Sequence, residues 1–305
     1  MIRTDAPPFG RLLTAMVTPF DEQLKVDATG VARLVDHLIL TGTETIVVAG
    51  TTGESPTLEK DEKADLLKLV IKEARGRCKT IMGTGSNDTL KSAEATKQAE
   101  ALGADGILVV APYYNKPSQA GLLRHFEEIS KATKLPLVVY NIPGRTGINI
   151  TPETMLELAQ RFSNIHALKD STGNVEQAQE IAGKARDDFR IYSGDDYLTL
   201  PFLSIGGSGI VSVASHCAGK QISKMMKAFF DGSLDEARKM HYDLLPLFKG
   251  LFAAPNPTCS KYALSRLGIC KEHLRLPLVP LESNQRMAMD QILRQCDIIA
   301  ELSRA

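Results

Sequence analysis

The sequence lacks an excess of charge of either sign, and it lacks a long apolar run. Its 305 residues include 36 lysines and arginines and 36 aspartates and glutamates. This balance gives no electrostatic basis for binding nucleic acid or an anionic membrane. No uncharged apolar stretch reaches about 18 residues, so we expect no membrane span. The composition, 43% hydrophobic and 24% charged, is that of an ordinary soluble protein.

Paired cysteine motifs are also missing. The five cysteines are Cys78, Cys217, Cys259, Cys270 and Cys296. Their number is odd and no two are spaced as C-x-x-C, which argues against a disulfide framework or a structural zinc site. His216 beside Cys217 has no further ligands in the sequence pattern, and residues 1–20 have no signal-length apolar core. We therefore expect reduced thiols, a cytoplasmic location, and neither metal nor cofactor.

Short runs rich in valine, isoleucine and leucine recur along the first 213 residues and predict eight strands. They are 12–17, 45–49, 79–84, 105–111, 136–141, 165–169, 189–193 and 209–213. The segments between them have helical spacing, as in 59–75, where acidic residues also favour the start of a helix. Nearly continuous apolar strands that alternate with helices indicate a parallel sheet covered by helices.

Eight such units predict an α/β fold, a closed TIM (β/α)8 barrel. A doubly wound open sheet is the alternative, but no G-x-G-x-x-G follows the first strand, which argues against its dinucleotide-binding form. Residues 1–219 would form the catalytic barrel. Within residues 220–305 the stretches 220–248 and 280–302 read as helices, and the whole segment would form a C-terminal helical domain. The glycine-rich 205–209 precedes the eighth strand, so we interpret it as a tight turn on the face opposite the site.

Polar residues that could perform chemistry follow four of the predicted strands. They are Thr51 and Thr52 after the second, Tyr113 and Tyr114 after the fourth, Tyr140 and Arg145 at the fifth, and Lys169 at the end of the sixth. In this architecture the active site lies where strands end and βα-loops begin. The sequence therefore predicts that these side chains meet at one mouth of the barrel.

Lys169 is the residue on which the functional interpretation depends. Taken alone, it could be a lysine whose ammonium extends to solvent from the end of an apolar strand. In a barrel mouth it would instead be buried, its pKa would fall, and its neutral amine could form a Schiff base with a ketone. The resulting imine withdraws electrons and makes the adjacent carbon acidic.

The neighbouring groups suit such chemistry. Tyr140 with a threonine hydroxyl could relay protons, Thr51 and Thr52 could bind a carboxylate, and Arg145 could bind a second one. Each also has an ordinary structural interpretation: a core tyrosine, a turn cap, a solvated loop arginine. It is their joint occurrence at strand ends that favours a site.

Four stretches resemble the dihydrodipicolinate synthase family of the class I pyruvate aldolase and lyase superfamily. They are GTTGESPTL at 50–58, PYYNKPSQAGLLRHF at 112–126, VYNIPGRTG at 139–147 and LKDSTGN at 168–174, with YSGDD at 192–196 and GGSGIVSV at 206–213 in agreement. The resemblance covers essentially the whole chain and is weakest after residue 220. It implies a lyase that condenses pyruvate with L-aspartate 4-semialdehyde in the biosynthesis of diaminopimelate and lysine.

The resemblance also implies a role for each site residue. Lys169 would form the Schiff base with pyruvate and Tyr140 would act as acid and base over the imine. Thr51 would link Tyr140 to Tyr114, which would reach in from a neighbouring subunit of a homotetramer, a dimer of dimers. The remaining residues would bind substrate: Thr52 the pyruvate carboxylate, Val211 through its backbone carbonyl, and Arg145 the carboxylate of the semialdehyde.

Two alternatives remain open at this stage. One is another class I pyruvate-dependent aldolase, acting on a sugar acid or on N-acetylneuraminate. Arg145 argues against it, because a neutral sugar chain would leave the guanidinium unpaired in a desolvated site. The other is a non-catalytic small-molecule binder on the same barrel.

Regulation is the point at which the sequence departs from the family pattern. Members that are inhibited by lysine often carry histidines and a glutamate where this chain has Lys60, Lys63 and Lys91. Asn87 and Tyr113 do match the regulatory pattern. Because three ammonium groups would repel a cationic ligand, we predict weak or absent feedback inhibition by lysine.

Overall fold

The computed structural model describes residues 7–299 and contains one closed sheet of eight parallel strands in the order β1 to β8. The strands are β1 Leu12–Ala15, β2 Thr45–Val48, β3 Lys79–Gly83, β4 Gly106–Val110, β5 Leu137–Asn141, β6 Ile165–Asp170, β7 Arg190–Ser193 and β8 Gly209–Ser212. The pairing of β1 with β8 closes the barrel. All eight predicted strands are confirmed, and with them the barrel architecture.

Helices alternate with the strands around the outside of the barrel. They are α1 Ala28–Leu40, α2 Lys60–Ala74, α3 Thr89–Ala101, α4 Gln119–Lys131, α5 Pro143–Thr146, α6 Pro152–Arg161, α7 Val175–Lys184 and α8 Thr199–Ser204. Several begin where the sequence supplies a cap: Glu59 and Glu62 form a capping box at α2, and the Asp88 carboxylate accepts a hydrogen bond from the backbone N–H of Lys91 at α3.

Four further helices, α9 Ser215–Phe230, α10 Leu234–Gly250, α11 Thr258–Arg266 and α12 Ser283–Gln295, form the C-terminal region. The proposed domain boundary at 219/220 falls inside α9, next to a break in its helical backbone at Ala218. Helix α11 was not predicted from the sequence. Its residues from Thr258 to Leu264 are all buried, so no apolar stripe marks it as a helix. The division into two domains stays a prediction.

The apolar residues divide into three cores. One fills the barrel interior, a second lies between the sheet and the surrounding helices, and a third joins α9 to α12 to the outside of β1 and β8. Phe9 closes the bottom of the barrel, where its ring packs against Gly106. Apolar side chains fill most of the bottom and the wall of the barrel, and the carboxyl ends of the strands form its upper end.

The glycine-rich turn and His216 both have structural roles. Gly206 adopts a φ of 94°, and the N–H of Gly207 donates to the carbonyl of Phe202 at 2.7 Å, which makes the tight turn predicted before β8. His216 is fully buried, accepts from the N–H of Val17 at 3.1 Å and bonds the carbonyl of Val213 at 2.8 Å through its other nitrogen. Its two ring nitrogens are therefore occupied by backbone groups.

Contacts from the C-terminal region fasten it to the loop after β2. Asn256 donates to Thr52 at 2.9 Å, and Lys261 forms an ion pair with Glu54 at 2.5 Å. Arg275 pairs with Glu62 at the start of α2. These contacts place the C-terminal helices beside one edge of the barrel mouth. Among the described residues, no helix is both long and apolar enough to cross a membrane.

Candidate active site

Lys169 lies at the carboxyl end of β6, in register with Tyr140 of β5 and Tyr192 of β7. Only 6% of its surface is exposed, and its Nζ lies 4.1 Å from the centre of the Tyr140 ring. Within residues 7–299 this nitrogen makes no ion pair and no hydrogen bond of ordinary geometry. The ammonium is thus buried without a close counterion, which is a costly arrangement for a charge.

The environment of Lys169 favours its neutral form. Burial lowers the pKa of Lys169 to about 8, the Arg145 charge acts in the same direction, and the carboxylates of Asp195 and Asp196 oppose them. A substantial share of the amine is therefore uncharged just above neutral pH. An uncharged primary amine is a nucleophile toward ketones.

Tyr140 is buried above this amine and keeps its proton. Burial raises the pKa of Tyr140 to about 12, while hydroxyl contacts from Ser171 and Thr51 and the charge of Arg145 oppose the rise. A phenol of this kind can donate a proton to one atom and accept one from another without carrying a net charge at rest. The Thr51 hydroxyl lines the same cavity as Tyr140 and acts to lower the pKa of the phenol.

A cavity of about 190 Å³ opens above the barrel, and several of the expected residues line it. Thr51, Tyr140 and Arg145 face it together, with Tyr113 at its edge. Lys169 lies below, covered by the Tyr140 ring. Arg145 stands on the short helix α5, which ends at Gly147 with a φ of 76°, and its side chain is exposed. A ligand in this cavity would have a guanidinium at one side and the buried amine beneath it.

Thr52 is buried beside the cavity, with 3% of its surface exposed. Its Oγ1 accepts a hydrogen bond from Asn256 Nδ2 at 2.9 Å, so its own proton remains available for another acceptor. Val211 lies in β8 opposite Leu13 of β1, with its side chain in the barrel interior. Both residues border the mouth but do not line the cavity above Tyr140.

Tyr114 is the expected site residue that a single chain does not bring to the cavity. Its side chain is 89% exposed, and its backbone has a φ of 74°, which is unusual for a residue with a side chain. Such a conformation turns the loop after β4 outward. The Tyr114 hydroxyl could meet the relay only if a second chain supplied it.

Two acidic residues at the end of β7 belong to the site, although the sequence interpretation gave them no role. Asp195 is close enough to act on Lys169, and burial raises the pKa of Asp195 to about 6. Asp196 is 1% exposed and accepts hydrogen bonds from Ser212 at 2.5 Å and from two backbone N–H groups at 3.0 Å. It holds the start of the last βα-loop. The GDD sequence after the seventh strand was the available signal.

A second cavity, of about 530 Å³, adjoins the first and shares Tyr113 with it. Lys60, Lys63 and Lys91 line it, and Glu94 is the only acidic residue among its lining side chains. Burial lowers the pKa of Lys63. The three lysines are thus brought together in one place, as the interpretation of the regulatory pattern required.

Comparison with known proteins agrees with this geometry. Residues 8–296 match the Dihydrodipicolinate synthetase family. A 4-hydroxy-tetrahydrodipicolinate synthase from Heliobacterium modesticaldum is 52% identical over 285 residues, which cover 93% of this chain and 95% of that protein.

Solved structures give the same result. A dihydrodipicolinate synthase from Cyanidioschyzon merolae with lysine bound has a TM-score of 0.94 and 45% identity, covering 95% of this chain and 99% of that one. A monomeric dihydrodipicolinate synthase variant has a TM-score of 0.93 and 39% identity, covering 95% and 97%. On both sequence and structure, the chain belongs to the dihydrodipicolinate synthetase family.

Proposed function

We propose that Lys169 is the Schiff-base residue with which this chain condenses pyruvate and L-aspartate 4-semialdehyde. The chain is an enzyme, a lyase of the class I aldolase type, and its relatives at about half identity are 4-hydroxy-tetrahydrodipicolinate synthases. The observation that carries the assignment of Lys169 is its burial beneath Tyr140 without an ion pair at contact distance. This environment lowers the pKa of Lys169 to about 8 and leaves a reactive amine.

The first steps can be written for the residues at the mouth. The neutral Lys169 amine adds to the keto carbon of pyruvate, and water leaves as the imine forms. Loss of a proton from the methyl carbon gives the enamine, which attacks the aldehyde of the second substrate. Tyr140 would take and return protons in these steps, because its ring lies over the amine and Thr51 lines the same cavity.

Substrate carboxylates would be bound by two different groups. Thr52, whose oxygen accepts from Asn256, has a free O–H to donate to the pyruvate carboxylate. Arg145 lines the cavity mouth and makes no ion pair among the described residues, so it is available for the carboxylate of the semialdehyde. The Val211 carbonyl would complete the lining from β8.

Assembly and location complete the proposal. A homotetramer, built as a dimer of dimers, would let Tyr114 of one subunit reach the relay of the next, which explains its 89% exposure in the single chain. The five cysteines are free thiols, as a reducing cytoplasm would keep them. No cofactor or metal is required by the steps above.

Borohydride trapping tests the central assignment. Reduction in the presence of pyruvate should add the mass of a reduced pyruvate unit to the peptide that carries Lys169. Lys169→Arg, which keeps the charge but loses the nucleophilic amine, is the matched control and should give no adduct. Absence of an adduct in the unmodified protein would favour a non-catalytic binder.

A second variant tests the substrate. Arg145→Ala should reduce kcat/KM for aspartate semialdehyde by about 100-fold while the pyruvate adduct still forms, because truncating one partner of a charge pair costs several kcal/mol. Unchanged turnover of the semialdehyde would show that Arg145 does not bind it and would return the other pyruvate aldolases to consideration.

A further inference from the structure

Ser171 is a half-buried residue beside the site, and the mechanism above does not use its hydroxyl, whose oxygen is removed from solvent. It follows Lys169 by two positions at the end of β6, so its side chain projects from the same side of the extended chain. Its backbone N–H donates to the carbonyl of Asn141 at 2.9 Å, which ties it to the residue after Tyr140. The pairing of β5 with β6 therefore fixes the position of the Ser171 backbone and the direction of its side chain.

The Ser171 hydroxyl has no hydrogen-bond partner of ordinary geometry, although its oxygen is removed from solvent. An unsatisfied buried hydroxyl is destabilising, so its presence calls for an explanation. At most buried sites alanine or a paired serine would be more stable. A buried hydroxyl kept without a partner is consistent with a partner that the site acquires during the reaction.

Gly194 provides the space for this hydroxyl. A Cβ at position 194 would overlap Ser171 Oγ, and it would lie 3.1 Å from Cε of Lys169. The Ser171 oxygen and the end of the Lys169 side chain therefore approach the same point from two sides. Because residue 194 is glycine, both can lie there without a clash.

The strand register brings Ser171 close to Tyr140. Tyr140 lies opposite Lys169 in the pairing of β5 with β6, and Ser171 follows Lys169 by two positions and bonds the carbonyl of Asn141. Among the contacts that lower the pKa of Tyr140, the one with Ser171 is the largest, ahead of Arg145 and Thr51. Hydroxyl groups lower a phenol pKa when they donate to the phenolate oxygen. Ser171 and Thr51 thus approach the Tyr140 oxygen as two possible donors.

We propose that Ser171 is a positioning residue that donates a hydrogen bond to the Tyr140 oxygen when Tyr140 has given up its proton. This inference rests on the proposed function of Tyr140 as the acid and base over the imine. A phenolate in a dry site needs donors already in place, since no water is available to solvate it. Thr51, in the loop after β2, supplies one such donor, and Ser171, directly after β6, supplies the second.

Exchange of the pyruvate methyl protons tests the proposal without the second substrate. In D₂O the enzyme should replace these protons by deuterium through the enamine, which proton NMR follows directly. Ser171→Ala should slow the exchange about tenfold, as the loss of one hydrogen bond predicts, with KM for pyruvate changed less than twofold. The solvent isotope effect on kcat should rise, because proton transfer then limits the rate more strongly.

Matched variants separate the hydroxyl from its volume. Ser171→Thr keeps the hydroxyl and should retain most of the exchange rate. Ser171→Val has the shape of threonine but no hydroxyl, and it should exchange as slowly as Ser171→Ala. This pair also answers the question if the alanine variant folds poorly. Ser204→Ala, on the exposed end of α8, should change nothing.

Two results are distinguishable. If the unmodified protein forms no adduct at Lys169, the proposed function itself has failed. If the adduct forms but Ser171→Val exchanges protons as fast as Ser171→Thr, with the same isotope effect, Ser171 plays no part in proton transfer and the inference is wrong.

Discussion

Lys169 and Lys261 are both buried lysines whose ammonium lies over the face of an aromatic ring, and they differ in what else surrounds the nitrogen. Nζ of Lys169 lies 4.1 Å from the Tyr140 ring centre, and Nζ of Lys261 lies 4.0 Å from that of Phe20. Burial lowers the pKa of both. However, Lys261 pairs with Glu54 at 2.5 Å, whereas Lys169 has no counterion at that distance.

The surroundings assign opposite roles to these two lysines. Lys261 also donates to the carbonyl of His273 at 2.7 Å, so its ammonium is satisfied and holds α11 against the loop after β2. The nitrogen of Lys169 has no such ion pair or hydrogen bond among residues 7–299. A buried charge with complete partners is structural, and a buried charge without them is ready to lose its proton.

The largest expected effect is on turnover. Lys169→Met should reduce kcat by roughly 10⁴-fold or more, because the covalent route is removed and only binding remains. Lys261→Met should retain pyruvate adduct formation wherever the protein remains folded. The coupled assay measures the first, and trapping followed by mass spectrometry measures the second. Residual turnover in Lys169→Met within tenfold of the original would contradict the comparison.

The second effect is on stability, and here the methionine substitution should be harmful at Lys261 and not at Lys169. Lys261→Met should lower the free energy of unfolding by about 3–5 kcal/mol, since it leaves the Glu54 carboxylate buried without its partner. Urea denaturation measures this change. The double variant with Glu54→Gln serves as the control, and it should recover part of the loss because no unpaired charge remains.

A third, somewhat smaller effect is the pH dependence of stability at Lys169. A lysine in the unfolded chain has a pKa of 10.5, and burial lowers the pKa of Lys169 to about 8 in the folded protein. Between pH 8 and pH 10.5 the unfolded chain therefore binds more protons than the folded protein. Burial of the ammonium therefore costs about 3 kcal/mol below pH 8, and the cost disappears as the pH rises toward 10.5. Lys169→Met should thus be more stable than the original at pH 7 by up to this amount.

The gain should shrink steadily with rising pH. Unfolding curves of the two proteins at several pH values between 7 and 10 would measure the difference. A difference that stays constant across this range would mean that Lys169 is not desolvated in the folded protein, and its proposed role would lose its physical basis.

The smallest expected effect concerns the second group of lysines, which line the adjoining cavity. Added lysine should leave turnover nearly unchanged up to millimolar concentration, because Lys60, Lys63 and Lys91 repel the ammonium groups of the free amino acid. Replacing them with His, His and Glu would test the cause, and this triple variant should become more sensitive to lysine. Strong inhibition of the unmodified protein below millimolar would contradict the prediction.

Much of the fold followed from local pattern. Each strand is a short apolar run between helical stretches, and the parallel barrel is the arrangement that covers such strands on both faces. Helix α11 escaped prediction because it is buried on all sides, and periodicity detects only helices with one apolar face.

The site was predicted less completely than the fold. Thr51, Tyr140 and Arg145 meet at one cavity, as expected from their places after the strands. Ser171, Asp195 and Asn256 were given no role. A serine two residues after a lysine, or an asparagine in a distant loop, has no local signal, because its partner is set by chain segments far away in the sequence.

By itself, the sequence determined the order of strands and helices, and therefore that Lys169 ends a barrel strand. Only the tertiary structure decided which buried lysine would be paired. The ionisation of an ammonium depends on the charges and dipoles within a few ångströms of it. For Lys261 those groups include the carboxylate of Glu54, which is distant in sequence. For Lys169 the fold places no carboxylate at ion-pair distance.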